Sequence, residues 1–176
     1  MNELAFAGYT AHDAAPDDRM RLKWNAMRAD LSTPGLSLPD ASAASVAALN
    51  LQINRQIKFD ESESEDLSVW QTARQTLASG HGDCKDYALL KYAVLTQAGI
   101  AARVVIGEIR EILANKHHAW CAALLGGTWF ALDNMFDHLE PVATYPNWTP
   151  VNAMHDDSVV WFGKEFTISE IEGLKP

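Results

Sequence analysis

Residues 84–98, CKDYALLKYAVLTQA, constrain the fold more than any other stretch of this chain, because Tyr87, Leu89, Leu90, Tyr92, Val94 and Leu95 make it apolar on nearly every side of a helix. A helix that is apolar all round has to be buried all round, so the segment predicts a helix through the core with the remaining elements packed about it. Gly99 supplies the stop. At the other end Asp83 is the expected N-cap. Its carboxylate takes the free backbone N–H of Lys85 or Asp86, and Asp86 reaches back as in a capping box. Cys84 is then the first helical residue, held rigidly where the aligned peptide dipoles favour a thiolate. Position alone does not make a cysteine reactive, since most buried ones only pack. A base is required.

Downstream, IAARVVIGEIR (100–110) is a β-branched stretch that reads as a strand. NKHHAWCAALLGGTWFALDNM (115–135) reads as two strands joined at Gly126-Gly127. With that pair as the turn, Leu125 faces Thr128, Trp120 faces Asp133 and His118 faces Met135, so these last four project to one side of the hairpin. His118 and Asp133 become diagonal neighbours, and a backbone separation of roughly 7 to 8 Å is one that an imidazole and a carboxylate close to a hydrogen bond. Cys121 points to the opposite face, where packing is its expected role. His117 alternates outward, which makes His118 the better base, although a one-residue slip of register would exchange the two.

A cysteine at a helix start, with His and Asp on adjacent strands, is the set of parts that nucleophilic acyl transfer requires. Cys84 attacks a carbonyl; His118 holds the thiolate as an ion pair and then protonates the leaving amine; Asp133 fixes the tautomer and stabilises the imidazolium. The Cys84 backbone N–H is the natural oxyanion donor, worth roughly 3 kcal/mol in such sites. Three other readings stand beside this one: amide transfer to an amine, a non-catalytic binding module, and a metal site of Cys84, His118 and Asp133. The last lacks any short ligand pair such as HExxH or CxxC.

The chain of 176 residues is expected to form a single α+β domain. Helices over 17–58 precede a core over 67–136, and 137–176 supplies loops and a final strand. Met20, Trp24, Met27 and Leu31 mark a first amphipathic helix, and Val46, Leu49, Ile53 and Ile57 a second. Trp70, Ala73 and Leu77 mark a short third that ends at Ser79-Gly80. Residues 60–66, DESESED, hold five carboxylates in seven positions and read as a solvated loop, the sharper alternative being a cation site. Pro141, Pro146 and Pro150 suggest loops, and VVWF (159–162) a final edge strand. The net charge of −9 disfavours nucleic acid as a partner. No apolar run approaches the roughly 20 residues of a membrane span, and the first residues lack the basic and apolar regions of a signal peptide. Two cysteines are too few for a disulfide framework.

HGDCKDYALLKYAVLTQAGI followed by HHAWCAALLGGTWFALDN resembles the bacterial transglutaminase-like cysteine proteinases, which include the LapG-type periplasmic proteases. The resemblance is carried by Trp70 and the short helix after it, GDC at 82–84, Asp86-Tyr87, HAW at 118–120, LDN at 132–134 and NRQIKF at 54–59. It implies a papain-like core in which the central helix carries Cys84 at its N-terminus against an antiparallel sheet, and a Cys84–His118–Asp133 triad hydrolysing a peptide bond. It also implies a periplasmic location, a surface adhesin as protein substrate and a membrane receptor that sequesters the protease. No cofactor is required by the triad itself. Calcium near the active site is a further implication, for which Asp83 and Asp86 are the ligands at hand. Lys85 stands where that family would place a Glu, and an ammonium opposes a cation. Trp70 is expected to pack in the core, the alternative being an oxyanion donor through its indole N–H.

Overall fold

The computed structural model describes residues 11–60, 70–110, 115–145 and 148–162; most of the acidic run at 60–66 lies outside the described residues. The predicted central helix is α4, Cys84–Gln97, and every side chain from Lys85 to Leu95 is buried. On one side it meets a sheet, and on the other α2 (Ala43–Gln56) and α3 (Ala73–Ser79). α2 is capped by Ser42 and buries Val46, Leu49 and Ile53 as its spacing predicts. α1, Arg19–Met27, begins behind Asp18, whose carboxylate accepts from the N–H groups of Met20 and Arg21. It is shorter than the apolar spacing suggests: its last turn tightens into a 3-10 turn, Arg28–Asp30. α3 starts after a Thr72/Gln75 capping box and ends at Gly80, whose φ of 70° is the left-handed conformation that favours glycine. Trp70 therefore precedes the helix, buried in the core at 8% exposure.

Among the described residues the sheet is antiparallel and seven-stranded, in the order β1-β9-β8-β4-β5-β6-β7. Its strands are β1 Ala11–Asp13, β4 Ala102–Arg110, β5 Asn115–Leu125, β6 Thr128–Leu132, β7 Glu140–Pro141, β8 Trp148–His155 and β9 Ser158–Phe162. A separate parallel pair, β2 Lys58–Phe59 and β3 His81–Gly82, braces the backbone just before Cys84. The architecture is the expected α+β.

The β5–β6 hairpin turns at Gly126-Gly127 with Leu125 opposite Thr128 and Cys121 opposite Leu132. The ladder stops at Leu132 and not at Met135, since the chain bends away from the sheet after Asp133. Met135 is 57% exposed.

Two further differences lie in the C-terminal third. The expected final edge strand is neither single nor at the edge: β9 pairs with β8 on one side and with β1 on the other. Asp156, at φ 46°, makes the turn that folds β8 and β9 into a hairpin. Pro150 lies inside β8, where a loop was expected. It is tolerated because the β4–β8 register shifts between Ile106 and Gly107, and a bulge is one of the few places a sheet accepts proline. Gly107 is opposite His118 in the neighbouring ladder. A Cβ there would lie 2.5 Å from the Trp120 ring and 2.6 Å from the Thr149 carbonyl oxygen, so the glycine is what lets Trp120 lie across β4. No helix among the described residues is long and apolar enough to cross a membrane.

Candidate active site

The candidate nucleophile's end of the site is built by the N-terminus of α4. Asp83 is the N-cap: its Oδ1 accepts from the Lys85 N–H at 3.1 Å. The box closes when Asp86 Oδ2 accepts from the Asp83 N–H at 3.1 Å, while Asp86 Oδ1 accepts from Gln71 N–H at 2.9 Å and ties down the segment leading into α3. Gly82 makes room for this, because a Cβ there would lie 2.8 Å from Asp86 Cβ. Burial and the charge of Asp83 push the Asp86 carboxyl up to about 7, against the N–H donors and the charge of Lys85. The Lys85 ammonium is itself buried and pairs with the other oxygen of Asp83. Above this cap Cys84 is half-buried, the exposure a nucleophile needs.

The predicted base and its carboxylate come together. His118 Nε2 lies 2.8 Å from both oxygens of Asp133. His118 is 9% exposed, Asp133 1%, and His117 faces solvent. Burial opposes the imidazolium, but the hydrogen bonds and charges of Asp133 and of the Cys84 thiol outweigh it and raise His118 to about 9. Burial likewise opposes the Asp133 carboxylate; the hydrogen bond and charge of His118, the Tyr145 hydroxyl and the Met135 N–H outweigh it and hold the group below the usual carboxylate range. With Nε2 taken by Asp133, Nδ1 is the nitrogen left for the thiol. Cys121 is fully buried on the helix side, and burial pushes its thiol up to about 12, which suits packing and not attack.

Tyr145 is a site residue that sequence reasoning missed. Its hydroxyl donates to Asp133 Oδ2, and Met135 N–H donates to Oδ1 at 2.9 Å, so the carboxylate is held at both ends. Burial and the neighbouring Asp133 charge keep the phenol protonated, and hence a donor. Its ring lies 6.0 Å from that of Trp120, which in turn stacks at 6.1 Å and 23° on His118. Tyr145 lies in a proline-punctuated stretch with no periodicity, so no local signal points to it. Tyr145→Phe removes one hydrogen bond to a buried charge, worth about 1.5 to 3 kcal/mol. The expected result is a stability loss of that size with the fold retained, together with a His118 titration midpoint, read by NMR, no lower than that of the wild type, because a carboxylate that loses a donor but stays in place is the more basic partner.

Among curated proteins none matches the chain in sequence. Solved structures do match in fold. Calcium-bound LapG of Legionella pneumophila superposes with a TM-score of 0.58 at 17% identity, covering 92% of this chain and 91% of that one. The EGTA-treated form of the same protein gives 0.57 at 17% identity, with 92% and 89% covered. An arylamine N-acetyltransferase of Bacillus cereus, described as having a Cys-His-Glu catalytic triad, gives 0.50 at 9% identity, with 82% and 68% covered.

The calcium of the LapG structure raises the question of a cation here. Three of the four carboxylate oxygens of Asp83 and Asp86 accept backbone N–H groups, and the fourth faces the Lys85 ammonium. A cation that wants six to eight oxygens does not fit a pair already neutralised in this way. Among the described residues no group of three or more His, Cys, Asp or Glu is placed to hold a metal. Residues 31–134 match the family model of the Transglutaminase-like superfamily, and the chain belongs to that superfamily.

Proposed function

We propose that the protein is a cysteine endopeptidase working through Cys84, His118 and Asp133. The observation that carries this reading is the imidazole of His118, bound to a buried carboxylate through Nε2 and raised to about 9 in part by the Cys84 thiol. Such an imidazole keeps its proton at neutral pH and pairs with a thiolate. The thiolate attacks the scissile carbonyl carbon, forming a C–S bond, and the oxyanion develops toward the Cys84 backbone N–H. As the C–N bond breaks, His118 gives its proton to the leaving amine. Water then attacks the thioester with His118 taking its proton, and the carboxylic acid leaves as the thiolate returns. Asp133 stays ionised throughout and keeps the ring oriented.

The resemblance to LapG-type proteases extends the proposal to a periplasmic enzyme that processes a surface adhesin-like protein and is sequestered by a membrane receptor. The Asp83–Lys85 pair supports a reaction that runs without calcium. The test is mass-spectrometric product analysis of a peptide library, with and without a primary amine and with and without a chelator. Hydrolysed products, insensitive to both additions, are expected. Amine-capped products without hydrolysis would instead establish the transferase, whose chemistry needs the same three residues and a different acceptor. Loss of activity in chelator would overturn the metal-free reading.

A further inference from the structure

Lys91 lies on α4 two turns beyond Cys84, fully buried, and no step of the proposed chemistry uses it. A buried ammonium without partners costs several kcal/mol, so the groups around it are informative. Its Nζ donates to Asn54 Oδ1 at 2.7 Å and lies 5.7 Å from the centroid of the Tyr87 ring. Burial pushes its pKa down to about 7, against the charges of Asp133, Cys121 and Asp137.

Asn54 connects this cation to the site. Its Nδ2 donates to the backbone carbonyl of Asp133 at 2.9 Å and to that of Phe136 at 3.0 Å, with Asp137 Oδ1 at 3.4 Å. Asn50, one turn earlier on α2 and buried, donates to the same Phe136 carbonyl at 2.8 Å. The two asparagines thereby clip the bend that follows β6. The Lys91 amine donates to the Asn54 oxygen, which leaves the amide N–H groups for the two carbonyls. The lysine sets the sense of the clip.

We infer that Lys91 is a positioning residue for the acid of the site, locking Asn54 so that the Asp133–Phe136 bend holds the Asp133 carboxylate against His118. The inference rests on the reading of Cys84, His118 and Asp133 as a triad. A misplacement of about 1 Å in such a constellation costs up to roughly a hundredfold in rate. A bystander lysine would act differently from a clip. Replacing Lys91 while the bend stays in place leaves the imidazolium as easy to form or easier, whereas letting Asp133 drift makes it harder.

Lys91→Met, similar in length and neutral, separates the two. His118 is titrated by NMR in the wild type, Lys91→Met, Asn54→Ala and the double variant, and Cys84 alkylation is timed on the same samples. The wild-type midpoint is expected near about 9. Both single variants should fall toward the ordinary imidazole value of about 6.5. Alkylation at pH 7 should slow by roughly tenfold to a hundredfold, and the double variant should lose no more than the worse single one. An unmoved or raised midpoint in Lys91→Met, or losses that multiply in the double variant, would overturn the inference. Should Lys91→Met fail to fold, Asn54→Ala decides by the same midpoint. The titration needs no substrate, so absence of peptidase activity in the wild type would count against the proposed function while the midpoints still decide the role of Lys91.

Discussion

His118→Ala is expected to lower kcat for peptide hydrolysis by on the order of 10⁴-fold or more, since removing one member of a catalytic unit costs nearly as much as removing all of it. Two losses combine in this variant. The sulfur of Cys84 loses the imidazole that would pair with it, and the leaving amine loses its proton donor. The truncation also strands Asp133, which is 1% exposed and would keep only the Tyr145 hydroxyl and the Met135 N–H. Breaking a buried pair by removing one partner costs about 3 to 5 kcal/mol, so a lower melting temperature should accompany the kinetic loss. Iodoacetamide labelling mapped by mass spectrometry separates the two effects at a temperature where both proteins are folded. Cys84 should be labelled markedly more slowly in the variant, and fully buried Cys121 should stay unlabelled in both. Equal labelling rates would mean that the imidazole does not pair with the sulfur.

Asp133→Asn is expected to cost on the order of 10² to 10⁴-fold in kcat while preserving the fold, because the amide keeps the shape and loses the charge. With the carboxylate gone, burial is the main influence left on His118, and it favours the neutral ring. The imidazolium should then titrate below its wild-type value of about 9. The same substitution reshapes stability against pH. His118 is raised from 6.5, so its contribution is complete below about 6.5 and is lost as the pH climbs through about 9. Asp133 is lowered from 3.8, so its contribution is complete above that value and is lost as the pH falls through its depressed value. The pair therefore stabilises most between about pH 4 and 6.5, and Asp133→Asn should flatten a curve of melting temperature against pH across that window. A variant with the wild-type curve and wild-type rates would show Asp133 to be a bystander.

The parts of this site that were legible in the sequence are those fixed by local periodicity or by a single turn. An apolar circumference forces a helix to the centre, an Asp–x–x–Asp pattern predicts its cap, and a Gly-Gly pair sets the hairpin register. From these, the meeting of His118 with Asp133 follows by counting. What was not legible depends on contacts between distant segments. Tyr145 reaches Asp133 from a stretch whose prolines suggest only loops. The Lys91–Asn54 contact joins residues 37 positions apart, and it puts a cation where periodicity predicts only packing. Pro150 inside β8 was misread because the bulge that admits it is seen only in the pairing with β4, where Ile106 faces Asn152 and Gly107 faces Pro150, leaving Val151 beside the proline without a partner in that ladder. VVWF resembles an edge strand in isolation; it is internal because β1, from the other end of the chain, covers it.

The most direct test of the thiolate–imidazolium pair is the pH dependence of Cys84 alkylation in the wild-type protein. The account predicts a fast rate already present well below pH 8, level across neutrality, and changing only as His118 loses its proton near about 9. A rate that is slow at neutral pH and rises in one step near about 8.5, as for any free thiol, would contradict it.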